Sequence, residues 1–251
     1  MKKNWMNINN TNLNYIDVGK GEPIIFLHGW GQDLECFLPS IEYLQENYRC
    51  IALDMPGFGD SDLPPQNTNM EAYKDIVLGF INELNLIKPN IVVHSFGNRI
   101  LGLMYEQYEF NNIVITGGAG LITEKDFSVK CKIYYYKLLK FLTKTPIYYM
   151  HKDDLASAYG SSDFKNANPI LREILVEAVN LDLEEYYKLI SNKTLLYWGE
   201  LDDATPLSEG KRLNDLIKHS RLIIKKDKSH FAFLETNEDF NTKLKKFIEV
   251  R

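Results

Sequence analysis

Asn90-Ile91-Val92-Val93-His94-Ser95-Phe96-Gly97-Asn98-Arg99 is the stretch whose reading decides the fold. Ile91 to Val93 is a short apolar run of the kind that makes a strand buried on both faces. The run breaks at Ser95, and Ile100, Leu101, Met104 and Tyr108 then recur at helical spacing. A strand that turns sharply into a helix around one serine strains that serine's backbone and lifts its hydroxyl clear of the sheet. The next amide, that of Phe96, is then placed to face a developing oxyanion. The plainer reading is that Ser95 only caps the helix. A base, an acid and a second amide donor must therefore come from elsewhere in the chain.

The 251 residues, 45% of them hydrophobic, suffice for one substantial core and an inserted subdomain. A net charge of −5 argues against a nucleic-acid or anionic-membrane partner. Cys36, Cys50 and Cys131 are scattered, which suggests neither a disulfide framework nor a metal site. No His/Asp/Glu spacing resembles a metal site either. The first residues lead into a polar stretch rather than an apolar leader, and no apolar run approaches the roughly 20 residues that span a bilayer. The expectation is a soluble, cytoplasmic protein with no membrane partner and no cofactor. Its oligomeric state is left open.

Read in order, Leu13 to Val18 alternates weakly and ends in the turn Gly19-Lys20-Gly21. Pro23 to Leu27 is a buried-strand run that enters His28-Gly29-Trp30-Gly31-Gln32-Asp33, where two glycines let the backbone turn and expose its amides. Pro39 to Glu46 reads as a helix and Arg49 to Leu53 as a strand, followed by Asp54-Met55-Pro56-Gly57-Phe58-Gly59-Asp60-Ser61. Thr68-x-x-Glu71 has the form of a capping box before a helix whose apolar face is Tyr73, Ile76, Val77, Phe80, Ile81 and Leu84. Asn112 to Thr116 is the next strand. This alternation predicts an α/β fold with a doubly wound, mostly parallel sheet.

From about Leu121 to Asn192 no convincing strand is seen. Tyr134, Tyr135, Tyr136 and other aromatics recur there, and Asn168 with Pro169 opens a helix carrying Ile170, Leu171, Ile174, Leu175, Ala178 and Val179. Asp182-x-x-Glu185 opens another. Strands resume at Thr194 to Trp198, ending in Gly199-Glu200-Leu201-Asp202-Asp203, and at Arg221 to Lys225, ahead of Ser229-His230-x4-Glu235. A terminal helix capped by Thr236 carries Phe240, Leu244, Phe247 and Ile248 on one stripe.

The His-Ser-Phe-Gly elbow, the His-Gly loop, the Asp-x-Pro-Gly-x-Gly-x-Ser loop, Gly-x-x-Asp and His-x4-Glu together resemble the α/β-hydrolase family over essentially the whole chain. Two positions depart from its pattern: Val93 stands for the first elbow glycine and Ser229 for the glycine before the histidine. The resemblance implies Ser95 as nucleophile, Asp202 as acid and His230 as base, in the family's chain order. Asp203 is the near rival for the acid. The implied oxyanion amides are those of Trp30 and Phe96. It also implies a hydrolase core at 1–120 and 193–251, with a helical cap at 121–192. His28, Phe58, Arg99, Tyr134 and Tyr135 are candidate pocket residues, although core packing is the simpler account of the tyrosines.

The implied chemistry is that of a serine hydrolase. It would cleave a small ester or related acyl compound through an acyl-enzyme, a small-molecule acyl substrate being the partner. Arg99 also resembles an arginine of the family's menaquinone-pathway synthase, so a lyase or a C–C bond hydrolase on an acidic substrate is the alternative, with Arg172 as a second arginine. A slow-turnover ligand receptor of the same fold is a further one. A serine at the elbow argues against the family's dehalogenases and epoxide hydrolases, which use a carboxylate there.

Overall fold

A computed structural model of the chain describes residues 1–122 and 167–249. The strands are β1 (Asn4–Ile8), β2 (Thr11–Val18), β3 (Glu22–Leu27), β4 (Tyr48–Leu53), β5 (Asn90–His94), β6 (Ile113–Thr116), β7 (Thr194–Gly199) and β8 (Ser220–Lys225). They form one sheet in the order β1-β2-β4-β3-β5-β6-β7-β8. β2 runs antiparallel to β1 and β4, and every other neighbouring pair is parallel. This is the expected α/β architecture with a doubly wound, mostly parallel sheet.

The described helices are α1 (Leu38–Leu44), α2 (Met70–Glu83), α3 (Phe96–Met104), α4 (Pro169–Asn180), α5 (Glu184–Lys188), α6 (Leu207–Leu216), α7 (Ala232–Glu235) and α8 (Asn237–Glu249). They cover both faces, which is why the central strands read as unbroken apolar runs. Ile25, Leu27, Ile91 and Val93 join one core with Tyr73, Phe80 and Ile100 from α2 and α3. Ile24, Phe26 and Val92 point the other way, into a core with Ile41, Leu44, Phe240 and Leu244 from α1 and α8.

Two details differ from the sequence reading and a third agrees with it. β1 is absent from it, because Asn4 and Asn7 break up the apolar residues of Asn4-Trp5-Met6-Asn7-Ile8. The neglected signal is Asn9-Asn10, whose φ angles of 48° and 61° suit a two-residue hairpin turn. The cap of α2 is Asn69, whose side chain accepts from the Ala72 amide at 2.8 Å. Thr68 instead donates its hydroxyl to the Pro65 carbonyl at 2.6 Å. Of the region 121–192, the helix opened by Asn168 and Pro169 is α4, which buries Leu171, Ile174 and Ala178. Residues 123–166, with Tyr134, Tyr135 and Tyr136, lie outside the described residues, and so does most of the expected cap. Among the described residues no helix is long and apolar enough to cross a membrane.

Candidate active site

Ser95 joins β5 to α3 with φ 47° and ψ −110°. A non-glycine residue held there stores roughly 1–3 kcal/mol of strain, which persists only where the surroundings over-determine it. They do so here. The Ser95 amide donates to the Thr116 carbonyl at 3.1 Å, and its own carbonyl accepts from Asn98 at 3.0 Å and Ala119 at 3.1 Å. The elbow therefore hangs on the end of β6 as well as on its own strand. Val93 is fully buried in the core and does not prevent this backbone from forming.

Asp202 follows β7, and His230 follows β8. His230 Nδ1 lies 3.0 Å from Asp202 Oδ1 and 2.9 Å from Oδ2. An ionised carboxylate only accepts, so the network assigns the proton to Nδ1 and leaves Nε2 with its lone pair. The ring's polar partners among the described residues are Asp202 and Thr205, both on Nδ1. Asp202 is buried, with Oδ1 accepting from the Ala204 and Thr205 amides at 3.1 and 2.8 Å. Asp203 is exposed. Of the two adjacent aspartates, it is Asp202 that meets the histidine.

The loop carrying His230 is stapled from within. The Ser229 amide donates to Glu235 Oε1 at 2.9 Å, and the Ser229 hydroxyl donates to the same oxygen. These bonds account for serine in place of glycine and for a glutamate six residues on. They also hold the Glu235 carboxyl below the ordinary carboxylate range.

Ser95 and His230 come from distant parts of the sequence, yet His94 places them at one end of the sheet. The His94 ring centroid lies 4.6 Å from that of His230. No hydrogen bond joins Ser95 Oγ to His230 among the described contacts. His94 is fully buried, and its Nδ1 donates to the Thr116 carbonyl at 2.9 Å. Burial, reinforced by His230, pushes its pKa well below the usual histidine value, so it stays neutral.

The loop after β3 lies against the elbow. A β-carbon on Gly29 would stand 2.9 Å from His94 Cδ2 and 3.2 Å from Ser95 Cβ, so a side chain there would push the two apart. Neither the Trp30 nor the Phe96 amide hydrogen has an acceptor among the described residues. Around them the Trp30 ring meets Phe58 at 4.9 Å and Phe96 at 5.1 Å, and Tyr73 meets Phe96 at 5.6 Å.

Two residues expected in the pocket are bonded to the scaffold. His28 is fully buried, donating from Nδ1 to Gly29 O at 2.7 Å and accepting at Nε2 from the Met55 amide at 2.9 Å. Burial lowers its pKa, and it has no polar atom left for a ligand. Arg99 Nη1 donates to the Ala178 carbonyl and, at 3.2 Å, to that of Leu181, at the C-terminal end of α4. Phe58 belongs to the aromatic wall. Tyr134 and Tyr135 lie outside the described residues.

Neither His94 nor Thr205 is among the residues singled out in the sequence. The available signal for Thr205 was a hydroxyl three residues after Asp202, close enough to bond back to it. Among the described residues no group of three or more His, Cys, Asp or Glu side chains could hold a metal ion.

A family model described as the alpha/beta hydrolase fold matches residues 22–130. The pimeloyl-[acyl-carrier protein] methyl ester esterase of Legionella pneumophila (strain Corby) is 26% identical over 248 residues, spanning 95% of this chain and all of that one. The 2-hydroxy-6-oxo-6-(2'-aminophenyl)hexa-2,4-dienoic acid hydrolase of Metapseudomonas resinovorans is 27% identical, over 98% of this chain and 91% of that one. The (E)-2-((N-methylformamido)methylene)succinate hydrolase of Acinetobacter baylyi is 37% identical over 92 residues, 35% of its own length. Among solved structures, a serine hydrolase involved in carbazole degradation superposes with a TM-score of 0.76 at 26% identity. That match covers 100% of this chain and 99% of the other.

Proposed function

The chain belongs to the α/β-hydrolase superfamily, and on that premise we propose that it is a serine hydrolase of small esters or related acyl compounds, working through an acyl-enzyme. The observation that carries this reading is the Asp202–His230 pair at 2.9 Å, held at the same sheet end as the strained Ser95. A free hydroxyl is a weak nucleophile at neutral pH and needs a base. His230 Nε2 takes the Ser95 proton as Oγ bonds to the acyl carbon, and Asp202 stabilises the imidazolium that results.

The carbonyl oxygen becomes an oxyanion between the Trp30 and Phe96 amides, each donor contributing about 3–4 kcal/mol to the transition state. Collapse breaks the bond to the leaving alkoxide, which His230 protonates. A water, deprotonated by the same nitrogen, then releases the acid and restores Ser95. The wall of Trp30, Phe58 and Phe96, backed by the buried Tyr73, supports an apolar acyl group. The region 121–192 acts as the lid that selects it.

One relative, a hydrolase of a dienoic acid, favours a second reading, in which the same groups cleave a carbon–carbon bond beside a ketone of an acidic substrate. Fluorophosphonate treatment followed by intact-mass spectrometry tests the nucleophile. One adduct is expected, absent from Ser95→Ala, and an adduct that persists in that variant overturns the assignment. Product analysis on an ester panel and on a 2-hydroxy-6-oxo-dienoate then separates the two chemistries.

A further inference from the structure

We propose, resting on the triad reading above, that Thr205 is a positioning residue for the reaction, its hydroxyl fixing the carboxylate of Asp202 against His230. Thr205 is buried, and its Oγ1 lies 2.9 Å from Asp202 Oδ2 and 3.3 Å from His230 Nδ1. The hydroxyl has one hydrogen, and a carboxylate accepts only, so that hydrogen goes to Oδ2. The Nδ1 proton is directed at the carboxylate, with the Thr205 oxygen flanking it as a longer, secondary acceptor.

The other carboxylate oxygen is held from the same residue. The Thr205 amide donates to Oδ1 at 2.8 Å, beside the Ala204 amide at 3.1 Å. With donors on both oxygens the carboxylate cannot rotate about its terminal torsion, which is otherwise broad and soft. Both oxygens consequently stay within 2.9–3.0 Å of Nδ1. Thr205 is itself clamped. Its carbonyl accepts from the buried Trp198 indole at 2.8 Å, and a β-carbon on Gly210 would stand 2.7 Å from that indole. Pro206 follows immediately and fixes the entry to α6. The hydroxyl thus sits on a rigid mount between β7 and α6, as a group that must hold a reacting pair in register should.

The test compares Thr205→Val, which keeps the shape and removes the hydroxyl, with Thr205→Ser, which keeps the hydroxyl, and with Asp202→Asn. The assay is steady-state hydrolysis of p-nitrophenyl acetate, with the far-downfield proton resonance of the histidine Nδ1–H followed in parallel. In Thr205→Val, kcat should fall about tenfold with KM within about twofold, and the resonance should shift or broaden. Thr205→Ser should restore both. Unchanged kcat and resonance in Thr205→Val, alongside an inactive Asp202→Asn, overturns the proposal and leaves the triad standing. An Asp202→Asn variant with native activity overturns the triad itself. If the valine variant does not fold, Thr205→Ala takes its place, and equal kcat in Thr205→Ala and Thr205→Ser overturns the proposal in the same way.

Discussion

A β-carbon on Gly97 would stand 2.5 Å from the carbonyl oxygen of Leu27, so β3 and the first turn of α3 pass at a distance that only glycine permits. Two residues before the serine the geometry is different. Val93 pairs with Leu27 on one side and Ile115 on the other, and its side chain goes into the core. Gly97→Ala should displace the Phe96 amide and lower kcat by at least about tenfold. Val93→Gly should cost about 3 kcal/mol of stability through lost burial and added backbone freedom. Its effect on ester hydrolysis should stay below about tenfold, or 1.4 kcal/mol in the barrier. A much larger rise in rate would mean that Val93 holds the native elbow in poor geometry, which favours a slow-turnover receptor. Urea denaturation and kcat on one ester decide both.

The parts of the site legible in the sequence were those enforced by local backbone chemistry. The elbow, the His-Gly loop and the position of His230 all lie where an apolar run ends at glycines or a polar cluster, and such breaks are written in consecutive residues. The scaffold partners of Arg99 and His28 were not legible, because a side chain's partner is set by tertiary contact. Nothing near Arg99 in sequence announces the Ala178 and Leu181 carbonyls some eighty positions away. β1 escaped because an edge strand with one wet face carries only a weak apolar signal. The choice of Asp202 over Asp203 rested on a family pattern, and their opposite burial supplies the physical reason.

That choice has a direct consequence for kinetics. Asp202→Asn leaves an amide that can donate to the histidine and favour the wrong tautomer, which in a comparable triad costs on the order of 10⁴ in kcat. Asp203→Asn changes an exposed side chain and should leave kcat within about twofold. The measurement is kcat for both variants on the same ester at the same pH. The reverse ranking would mean that another group orients His230.

Glu209 should make stability depend on pH. It is 7% exposed on α6, and burial pushes its carboxyl up to about 7, with Arg99 and Arg212 opposing and Asp202 reinforcing the shift. An unfolded glutamate titrates near 4.3. Between about pH 4 and 7 the folded chain therefore keeps a proton that the unfolded chain gives up. This contribution is whole below about pH 4, drains away as the pH rises, and is gone above about 7, a change on the order of 2–4 kcal/mol. Glu209→Gln cannot titrate, so its stability relative to wild type should rise across that window. Equal slopes in urea denaturation from pH 4 to 8 would show that Glu209 is ionised throughout.

Arg99 decides between two views of the substrate. Its guanidinium is nearly buried and meets carbonyls at the negative end of the α4 dipole, where a cation is stabilising. Removing a charged donor from buried acceptors costs roughly 1.5–3 kcal/mol, so Arg99→Met should lower the melting temperature by several degrees. If capping is its whole task, KM for a neutral ester and for an ester bearing a free carboxylate should change by the same factor. If the guanidinium also reads a substrate carboxylate, KM for the acidic ester alone should rise about tenfold or more. The geometry favours the first outcome. An arginine that left α4 to meet a ligand would strand the Leu181 carbonyl, leave that of Ala178 with only the Leu181 amide at 3.3 Å, and itself need a new partner, so binding an acid there would have to offset the loss of the cap. A selective rise in KM would show that this exchange takes place, and would move the reading towards hydrolysis of an acidic carbon–carbon substrate.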